Sequence, residues 1–334
     1  TEEILRIYGY NNIAIPSQVR NSVKTAEKPD VWRLKNHLSD NLCSLGFYEV
    51  LNNSLGSASS QKFSLESAKP VEILNPLSSS LNTMRQSLIP GMCETIAWNR
   101  NRQQLDLSLF EWGKIYSRSE NGFVEHEKIC IAVSGKSAQE SWHRKQDESG
   151  YFLLKGVVER IFTLLGMDIQ SIQIAPTDHA GFSHYCEFRK KKQVLASIGL
   201  IQGSILKEYG IDTPVWVAEC DWNNLLNQYK HYRIEYAEVP KFPTVRRDLA
   251  LLIDDSVKFD QIVHVARQTE RNLLSDINLF DVYQGNKLPP GKKSYAVSFT
   301  FVDPESTLTD AQIEKSMARL ISAFEKDLSA ELRQ

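Results

Sequence analysis

Cysteine is sparse and poorly placed for bridging. Cys43, Cys93, Cys130, Cys186 and Cys220 are scattered through 334 positions, with no Cys-x-x-Cys pair. An odd number at wide spacing argues against a disulfide framework and predicts reduced, mostly buried thiols. A His-Glu-x-x-His motif is also missing. The closest histidines, His179 and His184, have no glutamate beside the first and read as structural or surface residues. No apolar run approaches the roughly 20 residues that span a bilayer, and the chain does not open on a charged segment followed by an apolar one. These absences predict a cytoplasmic protein. Net charge is lacking too: 39 Lys and Arg face 41 Asp and Glu, a formal charge of -2. Any contact with nucleic acid must therefore come from a local cluster.

What is present is ordinary in bulk and specific in detail. With 42% hydrophobic and 24% charged residues over 334 positions, the chain has room for two domains and a sizeable core. Residues 75–116 organise it. Asn75-Pro76 and three serines make a turn, residues 81–85 are extended, and Ser87 is placed to cap a helix with Pro90 in its first turn. Leu88, Met92, Ile96 and Trp98 give that helix an apolar face. Alternation of Leu105, Leu107 and Leu109 then predicts a half-buried strand as far as Tyr116.

The motifs NPLS, MRQSLIPG and LFEWG, in that order, resemble the module of bacterial phenylalanyl-tRNA synthetase beta subunits that copies a class II synthetase core. The resemblance implies an antiparallel sheet with helices and no chemistry of its own. Active class II enzymes carry Arg-x-Glu on this strand, the planar guanidinium gripping the ATP alpha-phosphate. With Glu111 as the Glu, Leu109 stands in the arginine's place. The next expected arginine follows a strand-to-helix step, for which PVWVAECDWNNLL from Pro214 is the candidate, and no Arg occurs between Lys192 and Tyr232. No residue is assigned a catalytic role, and ATP is not expected to bind this chain.

The N-terminal TEEILRIYGY matches the end of the family's preceding domain, so residues 1–20 read as the close of an upstream unit and the chain as a C-terminal fragment. By position Glu2 and Glu3 inherit a role in binding Mg2+, a hard ion suited to carboxylates, with further acidic partners upstream. The alternative, favoured with the site truncated, is that they are acids stabilised at a helix N-terminus. Residues 18–28 form a polar linker. Residues 30–45 form a helix with Leu34, Leu38, Leu42 and Leu45 at helical spacing and Gly46 ending it, followed by a strand in GFYEVLNNSL. A leucine stripe is by itself compatible with simple core or with an interface; in the family this helix and strand are the element through which class II cores pair, which makes Leu38 an expected outward residue on the alpha-subunit face. Residues 151–165 form a helix whose Gly156 suggests a closely packed neighbour. FSHYCEF and VLASIGLI flank a basic turn, Arg189 to Lys192, that reads as a solvated loop or, alternatively, an RNA contact.

The last hundred residues change character. They read as strand (RRDLALLI), helix (259–273, with Ile262, Ala266 and Thr269 inward), strand (INLFDVY), strand (KKSYAVSFTFVD), a helix capped at Thr309 by T-D-A-Q, and a closing strand in AELR. This is the ferredoxin-like βαββαβ order. FPTVRRDLALLI, FDVYQG, LPPGKKSYA and LTDAQI resemble the anticodon-binding domain that ends the same family's chains. The resemblance implies that Tyr283 stacks on the first anticodon base while Asp281 and Ser294 bond to its edge. Arg246 and Arg247, with Asp248, are open between a salt-bridge cluster and phosphate contact.

The expectation is an α+β chain with three parts: 1–20, a catalytically inactive class II synthetase-like core at 21–235, and a ferredoxin-like domain at 236–334. It would serve in phenylalanine-tRNA ligase with a catalytic alpha subunit, in two alpha-beta pairs, on tRNA(Phe), the assembled enzyme using ATP and Mg2+. A free-standing RNA-binding or regulatory paralogue is the rival reading.

Overall fold

A computed structural model describes residues 1–18, 29–57, 63, 69–120, 122–138, 140–143, 148–229, 236, 238–239, 241–285 and 288–333. The expected linker therefore lies almost wholly outside the described residues, as does part of the Ser- and charge-rich stretch before Ser149. The chain divides into two compact units, 1–234 and 235–334.

In the first unit the N-terminal helix α1 (Glu2–Tyr8) buries none of its residues. Helix α2 (Val31–Ser44) starts where Asp30 accepts the Arg33 N–H at 3.1 Å, an N-cap, and buries Leu38 and Leu42. The expectation of an outward Leu38 is wrong. Leu38 is 1% exposed, because Leu34, Leu38 and Leu42 share one stripe and that stripe faces the sheet. The apolar residues on the outside are Trp32, Leu45 and Tyr48, at 76%, 52% and 73% exposure.

The strand expected after α2 is short. β1 (Tyr48–Glu49) pairs in parallel with β4 (Leu107–Ser119), while β2 (Leu55–Gly56) pairs separately with β3 (Thr83–Met84). Helix α3 (Ile89–Arg100) begins one turn-residue later than Ser87 predicts: Leu88 is the N-cap, and the Ser87 hydroxyl accepts the Ile89 N–H at 3.1 Å. Trp98 points away from its core at 56% exposure, with the Arg102 guanidinium 3.5 Å from its ring.

The remaining elements are β5 (Gly122–Ser134), α4 (Tyr151–Leu164), β6 (Gln173–Pro176), β7 (Phe182–Lys190), β8 (Gln193–Ile201), α5 (Gly203–Glu208), β9 (Val215–Asp221) and α6 (Trp222–Tyr229). They complete a seven-stranded sheet of order β1-β4-β5-β9-β8-β7-β6, antiparallel except at β1. Because side chains alternate along a strand, one face of the sheet packs on α2, α4 and α6 through Phe110, Ile131, Ile198 and Ala218. The other packs on α3 and α5 through Leu109, Ala132, Ile201 and Val217. Gly156 in α4 departs from its expected role. A Cβ built there meets nothing within 4 Å, since the position lies on the exposed side of the helix.

The second unit runs β10 (Val245–Asp254), α7 (Phe259–Thr269), β11 (Leu274–Tyr283), β12 (Lys292–Phe301), α8 (Asp310–Leu328) and β13 (Glu331–Leu332), with sheet order β11-β12-β10-β13. Helix α7 stops at Thr269, short of the expected 273: Glu270 takes an extended conformation and Leu274 enters β11. Its buried residues are Ile262, Val265 and Ala266, whereas Thr269 is half-buried with its hydroxyl bonded back to the Val265 carbonyl at 2.8 Å. The predicted capping box is present. Gln312 donates its N–H to Thr309 Oγ1 at 3.4 Å and accepts the Thr309 N–H at 2.9 Å.

Candidate nucleic-acid interface

Alternation along β10 and β12 sorts the second unit's sheet into two faces. Leu251, Ile253, Val297, Phe299 and Phe301 pack beneath α7 and α8 on Ile262, Ala266, Ile313, Leu320 and Phe324. The residues between them, Arg246, Asp248, Ala250 and Leu252 on β10 with Ser294, Ala296, Ser298 and Thr300 on β12, belong to the face without helices. Small side chains make the centre of this face a low floor. Ser294 and Ser298 are only 5% and 4% exposed because taller cross-strand neighbours flank them, Tyr283 and Leu252 beside Ser294, Asn278 and Asp248 beside Ser298.

Tyr283 stands directly opposite Ser294, and Asp281 opposite Ala296, so the structure brings all three residues expected at the anticodon onto this one face. An irregularity between Leu279 and Asp281 keeps both alternations in register while adding Phe280, which is 48% exposed. Asp281 is exposed, and its carboxylate has no hydrogen bond or ion pair to another described residue, so both oxygens are available. The Tyr283 ring lies against Gly285: a Cβ at that position would come within 2.7 Å of Tyr283 Oη and 2.8 Å of Cζ. The glycine of FDVYQG is therefore a condition for where the tyrosine sits.

The structure adds one residue that the sequence did not single out. β13 pairs with β10, and the Arg333 N–H donates to the Ala250 carbonyl at 2.9 Å, which brings the Arg333 guanidinium 5.2 Å from the centre of the Tyr283 ring. AELR was recognisable as a closing strand, but nothing in it names Tyr283 as its neighbour. The two arginines read together at the start of β10 are separated by the same alternation. Arg246 forks onto Asp248 at 2.8 and 3.3 Å, with Phe280 5.2 Å away, whereas Arg247 turns to the helix side and donates to Asp310 at 3.4 Å.

In the first unit, the family motifs prove to be partners of one another. Arg85 of MRQS donates to Glu111 of LFEWG at 2.6 Å and to the Lys114 carbonyl at 2.9 Å. Glu111 is fully buried, and it also accepts from the Asn52 side chain at 2.7 Å. Gly113 lets Arg85 through, since a Cβ there would collide with the guanidinium and with Leu88. Ser87 donates to Glu219 at 3.0 Å, and Lys128 donates to the same carboxylate at 3.0 Å. Burial works against the charged form of Lys128, yet Glu219 and Asp221 outweigh it and hold the ammonium above its ordinary pKa. Leu109 is buried at 4% exposure. The strand-to-helix step β9 to α6 forms as expected, without an arginine. Among the described residues, Arg85 and Lys128 on this face are each committed to a carboxylate and are not free to grip a phosphate.

Glu2 and Glu3 sit exposed on α1, and Arg6 lies 3.6 Å from Glu3. Among the described residues no group of three or more His, Cys, Asp or Glu side chains is placed to hold a metal. Two neighbouring carboxylates do not by themselves fit an ion that demands octahedral oxygen coordination. Three of the five thiols are buried and held toward their protonated form. Cys93 and Cys220 are pushed up to about 12 and Cys130 well above its usual value, in each case chiefly by burial. Among the described residues no helix is long and apolar enough to cross a membrane.

Comparison with known proteins follows the same division of the chain. Residues 15–222 match the model of the phenylalanyl tRNA synthetase beta chain CLM domain, and residues 240–333 that of the ferredoxin-fold anticodon binding domain. Phenylalanine–tRNA ligase beta subunits from Bacteroides fragilis and Porphyromonas gingivalis are 39% and 37% identical over 99% of this chain. The match covers 42% of each relative, so the chain spans less than half their length. Among solved structures, a pyrrolysyl-tRNA synthetase from Desulfitobacterium hafniense superposes on 59% of this chain and 68% of its own, at TM-score 0.45 and 15% identity. The chain belongs to the phenylalanyl-tRNA synthetase beta chain family.

Proposed function

We propose that this chain supplies the C-terminal part of the beta subunit of a cytoplasmic phenylalanine–tRNA ligase, in which the second unit reads the anticodon of tRNA(Phe) and the first is a scaffold for the catalytic alpha subunit. The observation that carries the reading is the open sheet face, where Tyr283, Asp281, Ser294 and Arg333 gather in a domain matched by an anticodon-binding model. An unstacked base needs an aromatic or guanidinium plane and acceptors along its edge. Tyr283 offers the ring, the Asp281 carboxylate accepts from a guanine edge, and the Ser294 hydroxyl adds a bond beside the ring. Arg333, already against that ring, supplies a second plane or a phosphate contact. The assembled enzyme, in two alpha-beta pairs, would use ATP and Mg2+ on the alpha subunit. The outward Trp32, Leu45 and Tyr48 around α2 and β1 are the surface we assign to that partner.

Base stacking on an aromatic side chain is worth roughly 1–3 kcal/mol. In the complete enzyme, Tyr283→Ala should therefore lower aminoacylation of whole tRNA(Phe) by about tenfold or more, with phenylalanyl-adenylate formation unchanged. A tRNA without its anticodon arm should be insensitive to the substitution. Equal loss on both RNAs would mean that Tyr283 holds the domain together and reads no base.

A further inference from the structure

The hairpin of β7 and β8 turns in two residues. Lys190 pairs with Gln193, leaving Lys191 and Lys192 as the loop. Lys191 sits at φ 55°, in the left-handed region that glycine enters freely and asparagine more readily than lysine. A tight turn therefore carries lysine where a neutral residue would be conformationally cheaper. Its neighbours do not account for the charge. Arg189 is bound to Glu187, so the strand's own carboxylate is already taken. Lys190, Lys191 and Lys192 form no ion pair or side-chain hydrogen bond with any described residue. The side chains set beside the tip are amides: Gln173 registers against Arg189, Gln193 against Lys190, and Gln228 bonds Gln193 at 3.1 Å. Three adjacent ammonium groups, two on the turn and one on the strand residue before it, with glutamines alongside, make a local positive tip on a chain whose net charge is -2.

We propose that this tip, Lys190-Lys191-Lys192, is a second RNA contact, engaging the phosphate backbone of the tRNA without reading sequence. Lysines on a rigid loop act as point charges for phosphate oxygens, and the surrounding amides can donate to phosphate or ribose oxygens. Of the carboxylates nearest in the local pattern, Glu187 is neutralised by Arg189, Asp221 on β9 caps α6 by accepting the Asn224 N–H at 2.8 Å, and Glu219, one step further from the tip, is paired with Lys128. An acidic protein surface is the competing partner. The RNA is favoured because the chain's other unit matches an anticodon-binding domain, so the inference rests on the functional reading above.

The test uses the complete enzyme and tRNA(Phe), with binding measured across a salt series. The variant Lys190→Ser, Lys191→Asn, Lys192→Ser should weaken binding about tenfold near physiological salt. It should also flatten the log–log salt slope by about 0.7–0.9 for each phosphate that is no longer neutralised, and adenylate formation should not change. Lys191→Gly should raise the melting temperature, by relieving the left-handed residue, while weakening tRNA binding. That combination of a stability gain with an affinity loss separates a charge kept for function from a merely tolerated one. Unchanged affinity and slope in the triple variant overturn the proposal, as does loss of alpha-subunit association with tRNA affinity intact. If Tyr283→Ala impairs charging of whole tRNA while the triple variant does not, the hairpin proposal fails and the anticodon reading stands. The opposite pattern sinks the anticodon reading and leaves the hairpin contact in place.

Discussion

Glu270 shows how one side chain can hold two helices of the second unit together and what that means for pH. It is 3% exposed at the end of α7, accepts from Ser316 Oγ on α8 at 2.7 Å, and is ion-paired with Arg319. Burial alone would raise its pKa, but the Ser316 hydroxyl, the Leu273 N–H and Arg319 outweigh it and keep the carboxylate below the ordinary value of 4.5. A folded-state pKa lower than the unfolded one means that the unfolded chain binds more protons in that interval. The stabilisation is therefore present above pH 4.5 and is lost as pH falls through the folded value. Glu270→Gln should cost about 1.5–3 kcal/mol at neutral pH, the range for hydrogen bonds to charged groups, and should give a shallower decline of melting temperature between about pH 5 and pH 3. Parallel wild-type and variant curves would place the acid loss on other carboxylates. At this scale the sequence displayed Tyr283, Asp281 and Ser294 because they lie in motifs. It could not display Glu270 with Ser316, or Arg333 with Tyr283, because each pair is joined only when separate elements pack.

Helices were legible from the spacing of apolar residues, and the faces of α2 and α4 illustrate the limit. The Leu stripe of α2 is real, and it faces the sheet. Spacing says which residues share a face but not what lies opposite, so an interface and a core look the same. Substitution of Leu38 would therefore disrupt the core, and the outer surface must be probed through Tyr48 or Trp32. Gly156 gives the converse. A glycine inside a helix suggested a close neighbour, yet the position is open. With nothing for a methyl group to strike, Gly156→Ala should stabilise the chain by about 1 kcal/mol, the propensity difference between the two residues, as read from chemical denaturation at unchanged m-value. Destabilisation would mean that something covers the position in the assembled protein.

For the molecule as a whole, the seven-stranded sheet of the first unit pairs two of its cations with buried or half-buried carboxylates. Leu109 is in the core, Arg85 is spent on Glu111, and Lys128 on Glu219. A phosphoryl group gripped by Arg85 or Lys128 would have to break one of these pairs, and breaking a buried pair costs about 3–5 kcal/mol. The chain alone, supplied with ATP, Mg2+ and phenylalanine, should therefore exchange pyrophosphate into ATP at the level of buffer. Exchange above that level would overturn the scaffold reading.

The sequence by itself determined most of the helices, the βαββαβ unit, the lack of arginine at position 109 and along β9 and α6, and the family, because each is written in neighbouring residues or in motifs a few positions long. Tertiary structure decided what those pieces meet. It turned MRQS, LFEWG and Glu219 into one buried network, sent Arg246 and Arg247 to opposite faces of the sheet, and set Arg333 against Tyr283. The physical reason is range: propensity and alternation act over a few residues, whereas strand register and helix packing join residues tens to hundreds of positions apart.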